Sequence, residues 1–421
     1  MDRTRKAIIV GAGAIGVTSA YTLARDGWQV RIIDSNPKPA MGASFGNGRQ
    51  LSYSHTNALA SSQILGQIPR LLARCDDAFR MGVFGSSGYY RWIAKFLANC
   101  TTPAYHKNTL QVLALAQESQ RAMGDLLDRH PIDFEHHTTG KLVILRTEKE
   151  VRAARQIVAA KQETGLLQKI LNRDEATNLE PALAGSSENI AGAIYAPNDA
   201  TGDCHRFSVE LLDILQCHYG VSYSGGISVK RIGNSRVVLS NEKTLTADLV
   251  VVANGHRARQ LLAPIGHSVP IQPMKGYSFT APVGYAAPTV SITDSKRRIV
   301  FTNLGDRMLV AGIAEMGNVD TSVDTNRLRS MISAARASLP EAAVYDEADA
   351  GWAGLRPLTP NSQPITRMLA PGLAVNTGHG MLGWTLAMGS AERSVLVSAP
   401  MAYFCFGPRA FRVSFTFMDV K

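Results

Sequence analysis

The chain has 421 residues, of which 45% are hydrophobic, 19% charged and 7% aromatic. This composition supplies enough apolar side chain for a sizeable core, and it excludes collagen-like, disordered and disulfide-scaffold proteins. The 44 basic residues outnumber the 34 acidic ones, which gives a net charge of +10. A chain with this charge should be attracted to an anionic partner such as nucleic acid, phospholipid or an acidic ligand.

Two features that resemble targeting or anchoring segments are better explained by structure. The basic start followed by an apolar stretch resembles a signal peptide, but a glycine pattern interrupts it. Met368–Ala391 lacks charged residues, yet its glycines and polar residues favour a buried site loop over a membrane span. No C-x-x-C pair occurs, so neither zinc nor a disulfide framework is expected, and a reducing compartment is the simpler setting for the cysteines at 75, 100, 204, 217 and 405.

The first predicted elements form a nucleotide-binding unit. A strand at Ala7–Val10 is followed by a tight turn, a helix at Ala14–Asp26 and a second strand at Val30–Asp34. The turn carries G-x-G-x-x-G between strand and helix, where a dinucleotide pyrophosphate would meet the helix N-terminus. Asp34 would accept hydrogen bonds from ribose hydroxyls and would repel the 2′-phosphate of NADP. The motif does not separate FAD from NAD.

The elements that follow alternate between helical and strand patterns. Helices are predicted at 64–100, 108–130, 147–165, 204–219 and 324–338, and strands at 190–196, 221–224, 227–232, 236–239, 248–253, 269–280 and 298–314. Helix 204–219 has the clearest ends, with Asp203 as its N-cap and Gly220 after its last turn. Residues 350–391 are predicted as glycine-rich loops and a final helical stretch.

This order of elements predicts an α/β chain, α+β overall, with two interleaved domains. A Rossmann-like nucleotide-binding domain is expected from residues 1–85, 190–256 and 350–391. An antiparallel-sheet substrate domain is expected from residues 86–189 and 257–349, and residues 392–421 are expected to form a divergent tail.

Four stretches give the chain a family resemblance. Besides the dinucleotide turn they are Ser44–Gln50 (SFGNGRQ), Pro197–Cys204 (PNDATGDC), and the C-terminal pair GLRPLTP at 354–360 and NTGHGMLGWT at 376–385. In these motifs and their order, from residue 7 to about 390, the chain resembles the FAD-dependent D-amino acid oxidase superfamily, and within it the bacterial D-amino acid dehydrogenases. One departure is that Gly48-Arg49 replaces the family's usual small residue and glycine.

The resemblance implies non-covalent FAD, since residues 351–367 hold no cysteine that could tether it. It also implies that the loop Gly378–Gly383 closes on the flavin ring and that Val229 meets the adenine through its backbone. The residues expected to contact FAD are Ile9, Val10, Gly11, Ala12, Gly13, Ala14, Ile15, Gly16, Asp34, Ser35, Ser44, Asn47, Gln50, Val229, Ala253, Gly255, Gly378, Gly380, Met381, Leu382 and Gly383.

Three residues are candidates for catalysis. Arg356 would grip the substrate carboxylate with two charge-assisted bonds, or it could cap its own loop. By the resemblance Tyr277 would share that carboxylate, although it could equally be a packed core tyrosine. His379 would either touch substrate or orient backbone. Lys275 is expected to have a structural role or to tune the flavin ring. No metal site is expected, because the adjacent histidines at 136–137 would point to opposite faces of a strand and are interpreted as solvated.

These candidates predict an FAD-dependent oxidative deamination of D-amino acids resembling D-alanine, giving 2-oxo acids and ammonia. Electrons would pass to a quinone or another non-oxygen acceptor. The alternatives are an enzyme for glycine, sarcosine or D-hydroxyproline, and an inactive flavin-binding relative. Nucleic acid is excluded because the chain has no basic run longer than 296–298 and no binding module.

The sequence leaves two alternatives for the cellular location of the protein and no family resemblance for its C-terminus. Residues 89–97 could form an interfacial membrane helix, with Arg70, Arg74 and Arg80 adding positive charge nearby, or a helix packed on the core. The expected location is therefore cytoplasmic, with possible peripheral contact at the inner face of the membrane. No resemblance extends beyond about 391. A missing closing helix would leave an apolar face bare and lower stability.

Overall fold

The computed structural model describes residues 4–62, 64–66, 79–82, 86–163, 165–186 and 188–398. Arg70, Arg74, Cys75, Cys405 and residues 399–421 of the predicted tail lie outside these ranges. Within these ranges the α-helices with described bounds are Ala14–Arg25, Ser87–Ala98, Thr102–Arg129, Glu148–Gln162, Arg173–Leu179, Cys204–Tyr219, Ala258–Leu262, Thr325–Ser338 and Gly383–Ser398, and a five-residue 3₁₀-helix covers Pro181–Gly185.

The strands are β1 Lys6–Val10, β2 Gln29–Ile33, β3 Gln50–Leu51, β4 Phe79–Met81, β5 Lys141–Leu145, β6 Lys169–Leu171, β7 Gly192–Ala196, β8 Ala200–Thr201, β9 Ser222–Ser224, β10 Val229–Gly233, β11 Arg236–Leu239, β12 Thr244–Thr246, β13 Leu249–Val252, β14 Gln272–Pro282, β15 Ser291–Asp294, β16 Ile299–Asn303, β17 Arg307–Met316, β18 Trp352–Leu358, β19 Ile365–Ala370 and β20 Leu373–Thr377.

The smaller of the two main sheets is a parallel nucleotide-binding sheet. In the described chain its order is β19-β20-β13-β1-β2-β9, and every neighbouring pair is parallel except β19 with β20. Its strands are almost wholly apolar because both faces are covered: Ile9 lies in one core cluster, and Ile8 and Val10 lie in another. The carboxyl ends of β1, β2 and β13 therefore meet at one edge of the sheet, where the dinucleotide turn begins.

The larger sheet covers that edge. Its order in the described residues is β18-β14-β17-β16-β15-β5-β7-β6, with β4 paired to β17. Most pairs are antiparallel, and the pairs β15 with β5 and β17 with β4 are parallel. One face is packed with large apolar residues, including Phe279 and Phe301, against the helix Thr325–Ser338. The opposite face contributes residues to the wall of a large cavity.

The structure confirms the predicted mixed α/β class and most of the predicted elements. Helix 204–219 has the predicted bounds: the Asp203 carboxylate accepts the Arg206 N–H at 3.0 Å, and Gly220 ends the helix with φ +63°. The predicted domain boundaries stay a prediction. Three strands assigned by sequence to the nucleotide-binding domain, β4, β7 and β18, are hydrogen-bonded into the larger sheet.

Two predicted segments differ from the structure. Residues 64–100 are not one helix, because they include strand β4, which pairs in parallel with β17. Residues 350–391 are not mainly loops, because they contain β18, β19 and β20. In both cases the strands are three to seven residues long, and they are stabilised by distant partner strands that local periodicity does not reveal.

The concern about a missing closing helix is wrong. The final helix, Gly383–Ser398, continues past residue 391 and packs against Ala14–Arg25 and Thr102–Arg129. Arg25 forms two hydrogen bonds with the Glu392 carboxylate at 2.5 and 3.0 Å, and Arg393 forms two with Glu118 at 2.7 and 2.8 Å. Buried residues such as Met388 and Ala391 complete the apolar face.

Gly389 provides a test of this packing. A Cβ at Gly389 would lie 2.7 Å from the Leu115 carbonyl oxygen and 2.8 Å from the Ser119 nitrogen, both backbone atoms. We expect Gly389→Ala to force the two helices apart and destabilise the protein by about 1–3 kcal/mol. Gly124→Ala is the control, because its Cβ would meet nothing within 4 Å and alanine favours a helix. Thermal unfolding should show a lower midpoint for the first variant alone; equal midpoints would contradict the close approach.

Candidate active site

The dinucleotide turn has the geometry that its glycines predict. Gly11 has φ +110°, and a Cβ there would lie 2.7 Å from the Ala253 carbonyl oxygen. A Cβ on Gly16 would lie 1.8 Å from the Gly11 carbonyl oxygen, so the helix can approach the strand only with glycine at that position. The Ala12 N–H donates to Asp34 at 2.6 Å. Asp34 therefore orders the turn, and its oxygens keep further acceptor capacity for a ribose.

A bridging segment, defined as residues 44–52, joins this turn to the final helix. The Ser44 hydroxyl accepts the Ala14 N–H at 3.1 Å, which satisfies a free donor at the start of the first helix. At the other end, the Ser52 N–H donates to the Thr385 hydroxyl at 3.0 Å, in the first turn of the final helix. Two helix N-termini are thus connected through one segment.

The bridging segment is also hydrogen-bonded to three strands of the larger sheet. Ser278 of β14 donates to the Gly46 carbonyl and Thr302 of β16 donates to the Gly48 carbonyl, both at 2.9 Å. The Gln50 amide donates to Ser291 of β15 at 2.7 Å. These bonds fix the larger sheet over the nucleotide-binding edge and leave a cavity between them.

The cavity has a volume of about 1180 Å³ and runs from the Asp34 end to the larger sheet. Among the described residues of its wall, Asp34 is the only carboxylate. Five cationic side chains share the wall: Arg49, Lys141, Arg257, Arg298 and Arg356. A cavity of this charge suits an anionic ligand, and its size exceeds the range typical of pockets for drug-sized ligands.

Most of the residues predicted to bind cofactor are in the wall. They are Val10, Gly11, Gly13, Ala14, Ile15, Asp34, Ser35, Ser44, Asn47, Gln50, Val229, Ala253, Gly255, Gly380, Met381, Leu382 and Gly383. Ile9, Ala12, Gly16 and Gly378 are not in the wall. Ile9 and Ala12 are fully buried in the core, and Gly16 and Gly378 serve close packing. Their part in binding remains a prediction.

Arg356 lies in the wall above Gly276. A Cβ at Gly276 would lie 2.4 Å from the guanidinium carbon, so this glycine makes room for the arginine. The guanidinium forms no ion pair or hydrogen bond with another described residue, and burial lowers its pKa to about 10, so it is charged at neutral pH. The side chain is half-buried. A partly desolvated cation without a protein partner is costly, and a ligand carboxylate would offset that cost.

His379 also lies in the wall but is held by the protein. The Ser390 hydroxyl donates to the Ala387 carbonyl at 3.1 Å, so we assign the His379 Nε2–H as donor to Ser390 at 2.9 Å. Burial lowers the pKa of His379 to about 3, which keeps the ring neutral. Its Nδ1 is then a buried acceptor that has no partner among the described residues.

The structure does not bring Tyr277 to the cavity. Side chains alternate along β14, so Met274 faces the cavity while Tyr277 lies with Phe279 in the core cluster on the other face. The Tyr277 side chain is fully buried, and burial with nearby Glu315 raises its pKa. Lys275 lies on the same face, 3.6 Å from Asp320. Period-two alternation from Met274 was the sequence signal that could have identified this.

Arg49 explains the departure from the family motif. It has φ +55°, the left-handed region that a glycine adopts freely. The strained backbone is accompanied by ion pairs to Glu135 at 2.6 Å and Asp203 at 2.5 Å. Arginine therefore occupies a glycine position and links the bridging segment to the helix that Asp203 caps.

Sequence reasoning missed other residues of the wall. Lys141, at the start of β5, and His55, just after the bridging segment, were not singled out. A lysine directly before a run of buried apolar residues was the available signal. In the described chain no cluster of three or more His, Cys, Asp or Glu could hold a metal. His136 and His137 are exposed, as expected.

Comparisons with known proteins identify the family of the chain. The family model "FAD dependent oxidoreductase" matches residues 6–395. The chain belongs to this family. It is 36% identical over 398 residues to D-amino acid dehydrogenase 2 of Ralstonia nicotianae, covering 91% of this chain and 94% of that protein. It is 34% identical over 401 residues to a D-amino acid dehydrogenase of Rhizobium johnstonii, covering 92% and 94%.

Solved structures share the fold. Glycine oxidase from Bacillus cereus has a TM-score of 0.71 at 22% identity, covering 94% of this chain and 95% of that one. L-proline dehydrogenase from P. horikoshii has a TM-score of 0.70 at 17% identity, covering 94% and 93%. At these identities the likeness concerns the fold alone.

The protein is thus an FAD-dependent oxidoreductase. The cavity fits FAD on its own evidence: Gly11, Gly13 and the N-terminus of helix Ala14–Arg25 line it, as a pyrophosphate site requires, and most of the charged side chains in its wall are cationic. The buried Nδ1 of His379 and Oδ1 of Asn254 are acceptors that lack described partners and that a bound cofactor could satisfy.

Arg49 yields a stability test. Arg49→Ala removes both ion pairs and keeps the left-handed strain, whereas Arg49→Gly removes the pairs and relieves the strain. We expect the glycine variant to be more stable than the alanine variant by about 1–2 kcal/mol. Urea unfolding followed by tryptophan fluorescence measures the difference. An alanine variant as stable as the glycine variant would show that Arg49 is not strained.

Proposed function

We propose that the protein oxidises D-amino acids at their α-carbon, giving 2-oxo acids and ammonia. The observation that carries the proposal is the cavity-wall guanidinium of Arg356, which has no described protein partner and shares the cavity with the FAD-binding turn. The preference for D-amino acids is supported by the names of the relatives at 34–36% identity.

In this proposal FAD lies along the cavity. The turn at 11–16 would hold the pyrophosphate, Asp34 the adenosine ribose, and Val229 the adenine. The loop at Gly378–Gly383 would approach the flavin ring, and the N-terminus of the final helix would place N–H groups near it. The Nδ1 of His379 would accept a hydrogen bond from the cofactor, so His379 would act on FAD rather than on substrate.

When bound, FAD accepts the hydrogen of the α-carbon together with its electron pair. Arg356 would bind the substrate carboxylate through two parallel hydrogen bonds and so orient the α-carbon. The wall near Arg356 contains no described carboxylate that could bind an ammonium. The substrate amine would therefore bind neutral, with its lone pair assisting the departure of the α-hydrogen. The imino acid product would leave and react with water to give the 2-oxo acid and ammonia.

We further propose that a quinone or another non-oxygen acceptor takes the electrons. The support is that the relatives are named dehydrogenases. Helix Ser87–Ala98 packs Trp92 and Phe96 inward, which favours the core-helix interpretation, and exposes Tyr90, Arg91 and Lys95. That exposed face is where we would place any peripheral contact with the inner, cytoplasmic face of a membrane. None of the described helices is long and apolar enough to span one.

A substrate panel tests the proposed reaction. The purified FAD-loaded protein is mixed without oxygen with D- and L-amino acids, glycine, sarcosine and D-hydroxyproline, and the flavin absorbance is followed. We expect D-amino acids such as D-alanine to bleach the flavin fastest. Faster bleaching by glycine, sarcosine or D-hydroxyproline would favour the alternative enzyme, and bleaching by L-isomers alone would overturn the stereochemistry. No bleaching by any compound would indicate an inactive flavin-binding relative.

The acceptor is tested on the reduced protein. We expect a soluble quinone analogue to restore the flavin absorbance faster than dissolved oxygen does. Faster restoration by oxygen would make the protein an oxidase.

Arg356 is tested by Arg356→Met, with Arg356→Lys as the matched control. Two charge-assisted bonds contribute roughly 1.5–3 kcal/mol each, so the methionine variant should lose at least about 100-fold in kcat/KM. Lysine keeps the charge without the two-pronged geometry and should lose less. Both variants should keep the flavin spectrum, because Arg356 is assigned to the substrate. Unchanged kcat/KM in Arg356→Met would remove Arg356 from this role.

A further inference from the structure

We propose that Lys141 is a buried positive charge that stabilises the reduced flavin and so raises its reduction potential. The inference rests on the proposed function for the position of the flavin ring, beside the loop 378–383. Lys141 is the first residue of β5 and lies in the cavity wall with only 6% of its surface exposed. It has no part in the mechanism described above.

The ammonium of Lys141 is held by the bridging segment. It donates to the Gln50 side-chain oxygen at 3.0 Å and to the Ser52 hydroxyl at 2.8 Å. Gln50 and Ser52 both line the cavity. Two fixed hydrogen bonds restrict a side chain that is otherwise flexible, so the charge has a defined position at the wall.

The same bonds connect Lys141 to the flavin end of the cavity. The Ser52 N–H donates to the Thr385 hydroxyl, and that hydroxyl contacts the Gln50 carbonyl at 3.4 Å. Thr385 follows the loop 378–383 in the first turn of the final helix. Asp34 and Val229 mark the adenosine end, and neither belongs to this network. The charge is therefore at the end where the ring system is proposed to lie.

The charge of Lys141 is only partly balanced by the protein. Lys141 has no carboxylate within ion-pair distance among the described residues, and burial lowers its pKa to about 8. The charged or titratable groups that interact with it are Asp199, Lys161 and His55. Burial raises the pKa of Asp199, and one of its oxygens already accepts the Ser54 N–H at 2.7 Å. A buried charge of this kind acts strongly on other charges in a site of low dielectric constant.

A bridging role alone does not require a cation. A neutral donor could bind the Gln50 oxygen and the Ser52 hydroxyl without the cost of removing a charge from water. Reduction adds negative charge to the flavin, and nearby charge is one of the means by which proteins tune this cofactor. Without an anion nearby, the buried charge of Lys141 lowers the stability of the protein. It would therefore be most favourable when the flavin is reduced and carries negative charge.

Lys161 is a matched control within the same chain. It is 2% exposed, and burial also lowers its pKa to about 8. Its ammonium donates to the Ser54 carbonyl at 2.9 Å and to the Asn57 side-chain oxygen at 3.0 Å. Lys161 does not line the cavity. Replacing it should alter packing and stability as much as replacing Lys141 does, without placing a change at the cavity wall.

The test compares Lys141→Met, Lys141→Gln, Lys141→Arg and Lys161→Met as FAD-loaded proteins. Flavin midpoint potentials are measured at pH 7 with a chemical reductant and a reference dye, and thermal midpoints are recorded alongside. We expect a lower potential for Lys141→Met and Lys141→Gln and a potential close to that of the natural protein for Lys141→Arg. Lys161→Met should change the thermal midpoint but leave the potential unchanged.

Three results would overturn the proposal: an unchanged potential in Lys141→Met and Lys141→Gln, an equal shift in Lys161→Met, or loss of FAD from both neutral Lys141 variants. The last would mean that Lys141 acts through folding rather than through its charge. The measurement needs no amino acid substrate. If the Lys141 variants show the expected fall in potential but no amino acid bleaches the flavin, the proposed reaction is rejected and the role of Lys141 is retained.

Discussion

The position of the bridging segment is the constraint on which the rest of the structure depends. Residues 44–52 are bonded on one side to the N-termini of two helices and on the other side to the strands of the larger sheet. Each bond is worth only about 0.5–1.5 kcal/mol. Together they fix the distance between the larger sheet and the nucleotide-binding edge, and so they set the height of the cavity. The segment connects the cofactor's proposed site to the substrate's.

The net charge of +10 has a more specific meaning once the cavity is known. Five cationic side chains and one carboxylate line the described wall. Arg49 is paired with Glu135 and Asp203, and Arg257 is exposed, so only part of the excess charge is left to face a ligand in the cavity. FAD brings a pyrophosphate and the proposed substrate brings a carboxylate, and both would offset this charge. An anionic membrane is thus not needed to explain all of it. The inward packing of Trp92 also reduces the apolar surface that a membrane helix would require.

The sequence predicted the cofactor more securely than the substrate site. Gly11, Gly16 and Asp34 act through backbone geometry that a short motif specifies completely, and their positions follow from the strand-turn-helix order. Arg356 was predicted from chemistry, and Gly276 beneath it could not be, because their contact joins two strands 80 residues apart. For Tyr277 the motif gave the position in the chain but not the face of the strand, so the sequence left both a substrate role and a place in the core open. The proposed role of Lys141 could not be predicted from the sequence, because it depends on hydrogen bonds to Gln50 and Ser52, which lie about ninety residues earlier in the chain.

The central claim is that Arg356 binds the substrate carboxylate within the FAD cavity. A crystal structure of the FAD-loaded protein with an unreactive carboxylic acid analogue of the substrate tests it directly. The account predicts two nitrogen–oxygen contacts between the Arg356 guanidinium and the carboxylate, at about 2.7–2.9 Å. A carboxylate bound elsewhere in the cavity, with Arg356 unliganded or paired to the protein itself, would contradict it.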